Sequence, residues 1–187
     1  VNKILAWKHE HPDGKVISYV NTYLDVKAVS DICCASANAA QVIQHIAETY
    51  PNSPLLFLPD VFLGYYATHV LQKMGRPTDN LWLMMGACHV HEKITAHHVM
   101  RQMALHPDAA VAAHMDCGCV SKCVSLLNQG LISEEVMQLR STWGMIEFVK
   151  KTPHKKIIVA TTVTNIHPMS KAAPDKEFIP ANPEARC

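Results

Sequence analysis

The sequence predicts an α/β fold made of repeated three-layer α/β/α domains, each built on a short parallel sheet. Short apolar runs rich in β-branched residues recur along the chain, helical stretches separate these runs, and similar turn sequences precede two of them. Strands that alternate with helices indicate a parallel sheet covered on both faces. The chain has 187 residues, which is enough for two small domains with separate cores.

Continuous apolar runs of four or five residues are typical of strands that are buried on both faces. Four such strands are predicted, at Val16–Tyr19, Leu55–Leu58, Ala109–Ala113 and Lys156–Ala160, with a shorter strand at Asp31–Cys34. Apolar residues at helical spacing predict helices at Ser36–Thr49, Phe62–Met74, Glu92–Leu105 and Thr142–Lys151.

A short turn motif occurs twice. His11-Pro12-Asp13-Gly14 precedes the first predicted strand, and His106-Pro107-Asp108 precedes the third. These residues favour turns, so the motif suggests an internal repeat with a boundary near residue 90. The corresponding domains are 1–90 and 91–187. Two unrelated turns are the alternative interpretation, because the shared motif is only three residues long.

Composition excludes several classes of partner. The formal net charge is +1, with both signs scattered, which is not the footprint of a protein that binds nucleic acid or an anionic membrane. No apolar run is long enough to span a bilayer and no signal peptide opens the chain, so a cytoplasmic location is expected. Neither a G-x-G-x-x-G motif nor a Walker motif is present. A small-molecule partner is predicted.

Polar residues follow several predicted strands, where ligands of parallel α/β sheets usually bind. Hydroxyl groups at helix starts can hold anions, and an imidazole next to a carboxylate can move protons. Each residue also has a purely structural interpretation as a helix cap or a buried polar group. The candidate site residues are Tyr19, Asn21, Ser36, His114, Asp116, Ser141 and Thr142.

Seven cysteines and twelve histidines indicate metal binding or chemistry in a reducing compartment. Cys33 and Cys34 are interpreted as small buried hydrophobes. Cys88 precedes a predicted helix, whose N-terminus would favour a thiolate. Cys117, Cys119 and Cys123 form a C-x-C-x3-C cluster that could bind zinc or iron, although it lacks the paired spacing of a zinc ribbon. The odd cysteine count argues against a closed disulfide framework, and both chain ends are expected to be internal to a longer protein.

Motifs along nearly the whole chain resemble those of the quinolinate synthase family. They are Tyr19-Val20-Asn21-Thr22, Val26-Lys27-Ala28, the segment 30–39, Leu58-Pro59-Asp60, Leu63-Gly64-Tyr65, the segment 86–92, Ser141-Thr142, the segment 158–161 and Phe178-Ile179-Pro180-Ala181.

The resemblance implies three similar α/β domains around a pseudo-threefold axis, with one cysteine from each domain binding a central 4Fe-4S cluster. The chain resembles the second and third domains of the family, and the first domain is absent from it. Cys88 matches the second cluster ligand and Cys187 the third, while the first ligand would come from the absent domain. Three thiolates on four irons leave one iron open as a Lewis acid.

The resemblance also implies a reaction and its participants. Iminoaspartate condenses with dihydroxyacetone phosphate to give quinolinate in NAD biosynthesis, and an L-aspartate-oxidising enzyme could supply the iminoaspartate. Tyr19 and Asn21 would hold and polarise the substrate, His114 and Asp116 would transfer protons, and the substrate's carboxylates or phosphate would be bound by Ser36, Ser141 and Thr142. The family usually has His-Pro-Glu where this chain has His114-Met115-Asp116, so the carboxylate is on a side chain one methylene shorter.

Three hypotheses from different classes follow. The first is an enzyme, quinolinate synthase, of which this chain is a fragment. The second is a non-catalytic metal-binding module in which Cys88, Cys187 and the Cys117 group hold zinc or iron. The third is a plain α/β ligand-binding domain whose thiols are packing residues.

Overall fold

The computed structural model describes residues 1–186. The chain divides into two compact units, Val1–Ala87 and a second that begins at Cys88. Each unit contains a four-stranded parallel sheet, with strand order β2-β1-β3-β4 in the first and β6-β5-β7-β8 in the second. The strands are β1 Lys15–Tyr19, β2 Ile32–Cys34, β3 Leu55–Leu58, β4 Leu81–Leu83, β5 Ala110–His114, β6 Met137–Arg140, β7 Lys156–Ala160 and β8 Glu177–Pro180.

Helices connect the strands in both units, as parallel pairing requires. The α-helices are α1 Asn2–Glu10, α2 Leu24–Ala28, α3 Ala39–Thr49, α4 Val61–Lys73, α5 Ala96–Leu105, α6 Val120–Asn128, α7 Thr142–Lys151 and α8 Ile166–Ala172. Short 3-10 helices lie at Ser36–Asn38, His91–Lys93 and Val163–Asn165. Within residues 1–186, no helix combines the length and the apolar character that crossing a bilayer requires.

The sheet of the first unit is covered on both faces. On one face, Ile4 and Trp7 of α1 pack with Val16, Leu56 and Leu58. The helices α3 and α4 pack against each other and against β1 and β3. The alternating side chains of a strand point to opposite faces, so the fully apolar β3 contributes to both layers of packing.

The second unit has the same layered arrangement. Alternate residues of β5 and β7 pack on one face of the sheet with residues of two helices. These are Met145, Phe148 and Val149 of α7, and Met169 of α8. The intervening residues of these strands are also fully buried, and the helix α5 packs against β7 while α6 packs against β6. The predicted α/β fold with repeated short parallel sheets and flanking helices is therefore confirmed.

Proline ends five of the helices. The C-terminal cap residues of α1, α3, α5, α7 and α8 each stand directly before a proline: His11, Tyr50, His106, Thr152 and Ala173. A proline ring disfavours helical backbone angles in the residue before it, so the helix stops there. The two His-Pro-Asp turns also share one geometry, because His11 and His106 have nearly equal backbone angles, φ −130° and −133°.

Several predicted boundaries were wrong. Residues 92–95 are not α-helical, because Thr95 caps the N-terminus of α5 and bonds the His98 ring. The helix predicted from Ser36 begins as α3 only at Ala39, after a 3-10 turn in which Asn38 Oδ1 accepts from the Ala35 N–H at 2.7 Å. The third predicted strand extends one residue further, so His114 ends β5 and does not lie in a loop.

Sequence patterns missed three strands and some of the helices. The strands β4, β6 and β8 are three or four residues long and incompletely buried, so they lack the continuous apolar run of a central strand. All three are edge strands: β4 lies at one edge of the first sheet, and β6 and β8 lie at the two edges of the second sheet. Edge strands need less apolar surface because part of their surface faces solvent.

Candidate functional site

In the first unit, the candidate residues follow the carboxyl ends of neighbouring strands. Tyr19 ends β1, is 7% exposed and pairs with Cys34 at the end of β2. Asn21 lies two residues further in an exposed bend, and Ser36 lies two residues beyond Cys34. The paired strands bring these segments to one edge of the sheet, where a polar ligand could meet them.

The structural interpretation of Ser36 as the cap of the helix after it was wrong. Ser36 is the first residue of the 3-10 helix Ser36–Asn38, and Asn38 occupies the N-cap position of α3. The half-buried Ser36 hydroxyl therefore has no capping role at α3. Its proposed use as a substrate ligand is unaffected by this correction.

In the second unit, His114 and Asp116 are in direct contact. His114 is 4% exposed at the end of β5, and Asp116 is 2% exposed in the turn that follows. His114 Nδ1 and Asp116 Oδ1 form a hydrogen bond. Although Asp116 has a shorter side chain than the family's usual glutamate, it therefore reaches the imidazole. The pair couples a buried carboxylate to a buried proton carrier.

A third residue of this cluster, His91, was not among the predicted site residues. Its Nδ1 atom lies 3.1 Å from Asp116 Oδ1, the same oxygen that His114 contacts. The rings of His91 and His114 are 5.4 Å apart. His91 lies in the motif segment 86–92, but only the folded chain places its ring against Asp116, so local sequence offered no direct signal.

The two imidazoles determine the charge of Asp116. Burial alone would raise the pKa of its carboxyl group, but hydrogen bonds from His114 and His91, together with their charges, hold the pKa well below its usual range. Asp116 is therefore a carboxylate throughout the neutral pH range. A fixed negative charge stabilises a protonated imidazole next to it and orients the ring.

Ser141 and Thr142 follow β6, the strand that pairs with β5. Arg140 at the end of β6 is the register partner of His114. Ser141 caps α7, and its Oγ accepts a hydrogen bond from the Gly144 N–H at 3.3 Å. The predicted helix start at this position is confirmed. The first N–H groups of a helix have no partner within the helix, and they favour anions.

Cys88 is a free, half-buried thiol. The predicted helix does not follow it directly, because residues 89–90 form a turn and only the three-residue 3-10 helix His91–Lys93 comes next. The prediction that the N-terminus of an α-helix favours the Cys88 thiolate is therefore wrong. Cys187, the other predicted cluster ligand, lies outside the described residues.

The remaining thiols differ in their surroundings. Cys117, Cys119 and Cys123 are buried, and the hydrogen bond with Cys123, together with burial, raises the pKa of Cys119 well above its usual value. Burial and the neighbouring Cys33 raise the pKa of Cys34 to about 12. Cys119 and Cys34 are therefore protonated at neutral pH.

Two parallel sheets, each with polar side chains beyond the carboxyl ends of its strands, place the chain in the class of layered α/β proteins, in which ligands usually bind at strand ends. The sequence profile of the family described as Quinolinate synthetase A protein matches residues 1–187. The chain belongs to this family.

Curated relatives agree with this assignment. The chain is 41% identical over 184 residues to a quinolinate synthase of Pyrobaculum aerophilum, covering 98% of this chain and 56% of that protein. It is 39% identical over 186 residues to a quinolinate synthase of Mycobacterium leprae, covering 100% of this chain and 51% of the relative. A quinolinate synthase of Thermus thermophilus is 39% identical over 184 residues, with 98% and 54% covered. The chain spans about half the length of the curated relatives it matches.

Proposed function

We propose that the chain is the part of a quinolinate synthase that forms its second and third domains. The reaction would join iminoaspartate and dihydroxyacetone phosphate, eliminate phosphate and water, and close the ring of quinolinate. The proposal includes a cytoplasmic location, and it includes supply of iminoaspartate by an enzyme that oxidises L-aspartate. Family membership and the matched relatives support this reaction class.

The observation that carries the proposal is the buried contact of His114 with Asp116 at the end of β5. The reaction requires several proton transfers between carbon, nitrogen and oxygen atoms. His114 would exchange a proton with the substrate through one ring nitrogen while Asp116 holds the other. Asp116 acts through His114, so it is a positioning residue in this scheme, and His91 shares that role because it contacts the same carboxylate oxygen.

Binding of the two substrates would use hydroxyl and amide groups at the strand ends. Tyr19 and Asn21 would hold and polarise the substrate oxygens in the first unit, together with Ser36. In the second unit, Ser141 already accepts a hydrogen bond from Gly144, so its hydroxyl proton remains available for a carboxylate or phosphate oxygen. Thr142 would add a second hydroxyl at the same helix start.

The family's 4Fe-4S cluster would require three thiolates. Cys88 fits such a role, since its thiol is free and only half-buried. Cys187 and a cysteine of the absent first domain would complete the ligand set. When bound, the cluster would offer an open iron as a Lewis acid for substrate oxygen or nitrogen.

The ligand assignment can be tested by anaerobic reconstitution of the chain with iron and sulfide, with Cys88→Ala as the comparison. Without the first domain, we expect no stable brown 4Fe-4S product in either protein. Fusion to the unmatched portion of the Pyrobaculum aerophilum relative should give a cluster that Cys88→Ala abolishes. A stable cluster in the fused Cys88→Ala protein would refute the role of Cys88.

The same fusion tests the reaction. Oxaloacetate and ammonia would generate iminoaspartate in the assay, dihydroxyacetone phosphate would be added, and quinolinate would be measured by chromatography. His114→Gln should lower kcat by about 100-fold or more, the usual contribution of a general acid or base. His97→Gln, in an exposed position of α5, is the matched control and should leave kcat unchanged. Equal turnover of the His114 variant and the parent would remove His114 from the proposal.

A further inference from the structure

Four side chains with metal-binding atoms meet in the second unit. They are His91, His114, Asp116 and Cys117, and one ligand atom from each lies within 4.8 Å of the others. We propose that these four residues bind a single divalent transition-metal ion of the zinc type. None of the four is among the cysteines assigned to the 4Fe-4S cluster, so the two proposed ligand sets share no residue.

The arrangement of the donor atoms supports a common centre. His91 Nδ1 and His114 Nδ1 both approach the same oxygen of Asp116. A carboxylate that only accepted two hydrogen bonds could use its two oxygens separately. Convergence of two imidazole nitrogens on one oxygen, with a thiol beside them, is the pattern of ligands that surround an ion.

The backbone holds the ligands in place. His114 ends a fully buried strand, and the Cys117 N–H donates to the His114 carbonyl at 3.3 Å. The Gly118 N–H donates to the His91 carbonyl at 3.0 Å and so joins the two ligand-bearing segments. A Cβ atom on Gly118 would lie 2.8 Å from the Glu92 carbonyl oxygen, so glycine allows this close approach. The site is thus largely preformed, which lowers the entropic cost of binding.

The donor types select the class of metal. Two imidazoles, a carboxylate and a thiolate suit zinc and similar transition metals, whereas magnesium and calcium prefer oxygen ligands only. Zinc lies about 2.0–2.3 Å from such atoms, so four tetrahedral ligands are within about 4 Å of one another. The four ligand atoms now lie within 4.8 Å of one another, so side-chain movements of roughly 1 Å would bring them to that spacing.

Charge balance also favours a divalent ion. Asp116 carries one negative charge, and Cys117 would carry a second after it loses its proton, so the ion and its ligands would be neutral together. A neutral group is far less costly to bury than an isolated charge. The Cys117 thiol donates to the Ala160 carbonyl at 3.3 Å. Metal binding would therefore break this hydrogen bond and release the thiol proton to solvent.

The site does not depend on the proposed reaction, but it has a consequence for it. A metal ion on His114 and Asp116 would occupy the groups assigned to proton transfer. Zinc is therefore expected to inhibit the fused enzyme, and a chelator should restore its activity. Metal binding itself is tested on the chain alone, without iron, sulfide or substrate, so its result stands whether or not the reaction is confirmed.

Cobalt(II) is the probe for the experiment, because thiolate coordination gives it an intense near-ultraviolet charge-transfer band and a tetrahedral site gives strong visible bands. We expect anaerobic titration of the metal-free chain to saturate at one cobalt per chain with both features. Added Zn²⁺ should displace the cobalt and raise Tm. A pH indicator should detect proton release during Zn²⁺ binding.

Variants locate the ion. Cys117→Ser should remove the charge-transfer band. His91→Gln should weaken cobalt binding by about 100-fold, because the loss of a ligand should cost at least as much affinity as the loss of a group that only supports a ligand. Far-ultraviolet circular dichroism would verify folding, and the partly exposed His91 is the safer substitution if Cys117→Ser does not fold. Cys88→Ala is the control and should leave the spectrum unchanged. Absence of the band in the parent, or its loss in Cys88→Ala alone, would overturn the proposal.

Discussion

His91 Nδ1 lies 3.1 Å from Asp116 Oδ1. This contact joins the 3-10 helix before α5 to the turn after β5. The two residues come from separate segments of the second unit, and the Gly118 N–H bond to the His91 carbonyl fixes their separation. The carboxylate thereby receives two imidazole partners beyond the end of β5, an inner strand of its sheet. The position of His91 relative to Asp116 is therefore the feature on which several measurable properties of this unit depend.

Gly118→Ala should separate the two segments that carry this cluster. The added Cβ would meet the Glu92 carbonyl oxygen at 2.8 Å and the Ile94 carbonyl oxygen at 3.4 Å, and backbone atoms cannot move as freely as side chains. We expect the free energy of unfolding to fall by about 1–3 kcal/mol, with loss of cobalt binding. Urea denaturation and the cobalt spectrum measure the two effects.

Gly130→Ala is the matched control for this change. Gly130 has φ +66°, and no atom lies within 4 Å of the position that an alanine methyl group would occupy, so the substitution strains the backbone without touching the cluster. It should cost about 1 kcal/mol of stability and leave cobalt binding intact. If Gly118→Ala and Gly130→Ala had the same effects on stability and on cobalt binding, the close approach of the two segments at Gly118 would be unimportant for the site.

Asp116→Asn should change how stability depends on pH. The folded-state pKa of Asp116 is below its unfolded value, so its stabilising contribution is fully present above about pH 4 and is lost as pH falls through the unfolded and then the folded pKa. The variant should be about 1–3 kcal/mol less stable than the parent at pH 7, and this difference should shrink below pH 4. Urea denaturation across that range provides the comparison. A difference that stayed constant with pH would contradict the lowered pKa.

Ser141 and Ser36 should respond differently to alanine. Ser141→Ala removes the oxygen that accepts from the Gly144 N–H at the start of α7, so stability should fall by about 1 kcal/mol. Ser36 does not cap α3, and Ser36→Ala should change stability by less than about 0.5 kcal/mol. Thermal unfolding of the chain measures both effects. In the fused enzyme, a raised KM for Ser36→Ala with unchanged stability would identify Ser36 as a substrate ligand, and an unchanged KM would exclude it.

Thiol labelling should distinguish two neighbouring cysteines. Cys33 is exposed, whereas Cys34 is buried with its pKa raised to about 12, and the thiolate is the reactive form. Iodoacetamide at pH 8 should therefore modify Cys33 at least about tenfold faster than Cys34 in the native chain. Mass spectrometry of the peptide that contains both residues would resolve the sites after brief labelling. The two rates should become equal only after the chain is unfolded in urea. Equal rates in the native chain would contradict the buried position of Cys34.

The strongest sequence patterns are local, and they located the main elements well. The predicted strand Leu55–Leu58 is confirmed at both ends, as is Lys156–Ala160, because a continuous apolar run of this length is typical of a strand buried on both faces of a sheet. The helix Thr142–Lys151 is also confirmed, since Ser141 supplies its cap and Pro153 follows its end. The roles of all the candidate site residues stay predictions: Tyr19, Asn21, Ser36, His114, Asp116, Ser141, Thr142, Cys88 and Cys187.

The sequence by itself determined the fold class, the positions of the central strands along the chain and the presence of polar groups where those strands end, because apolar runs, caps and prolines act over a few residues. Only the tertiary structure decided that His91 would join His114 and Asp116, and that Cys117 would lie with them while the Cys119 and Cys123 thiols form a hydrogen bond. Such contacts depend on sheet register and on the close approach at Gly118. Side chains far apart in sequence meet only when the packed sheet and its loops bring their backbones together, so no local pattern records them.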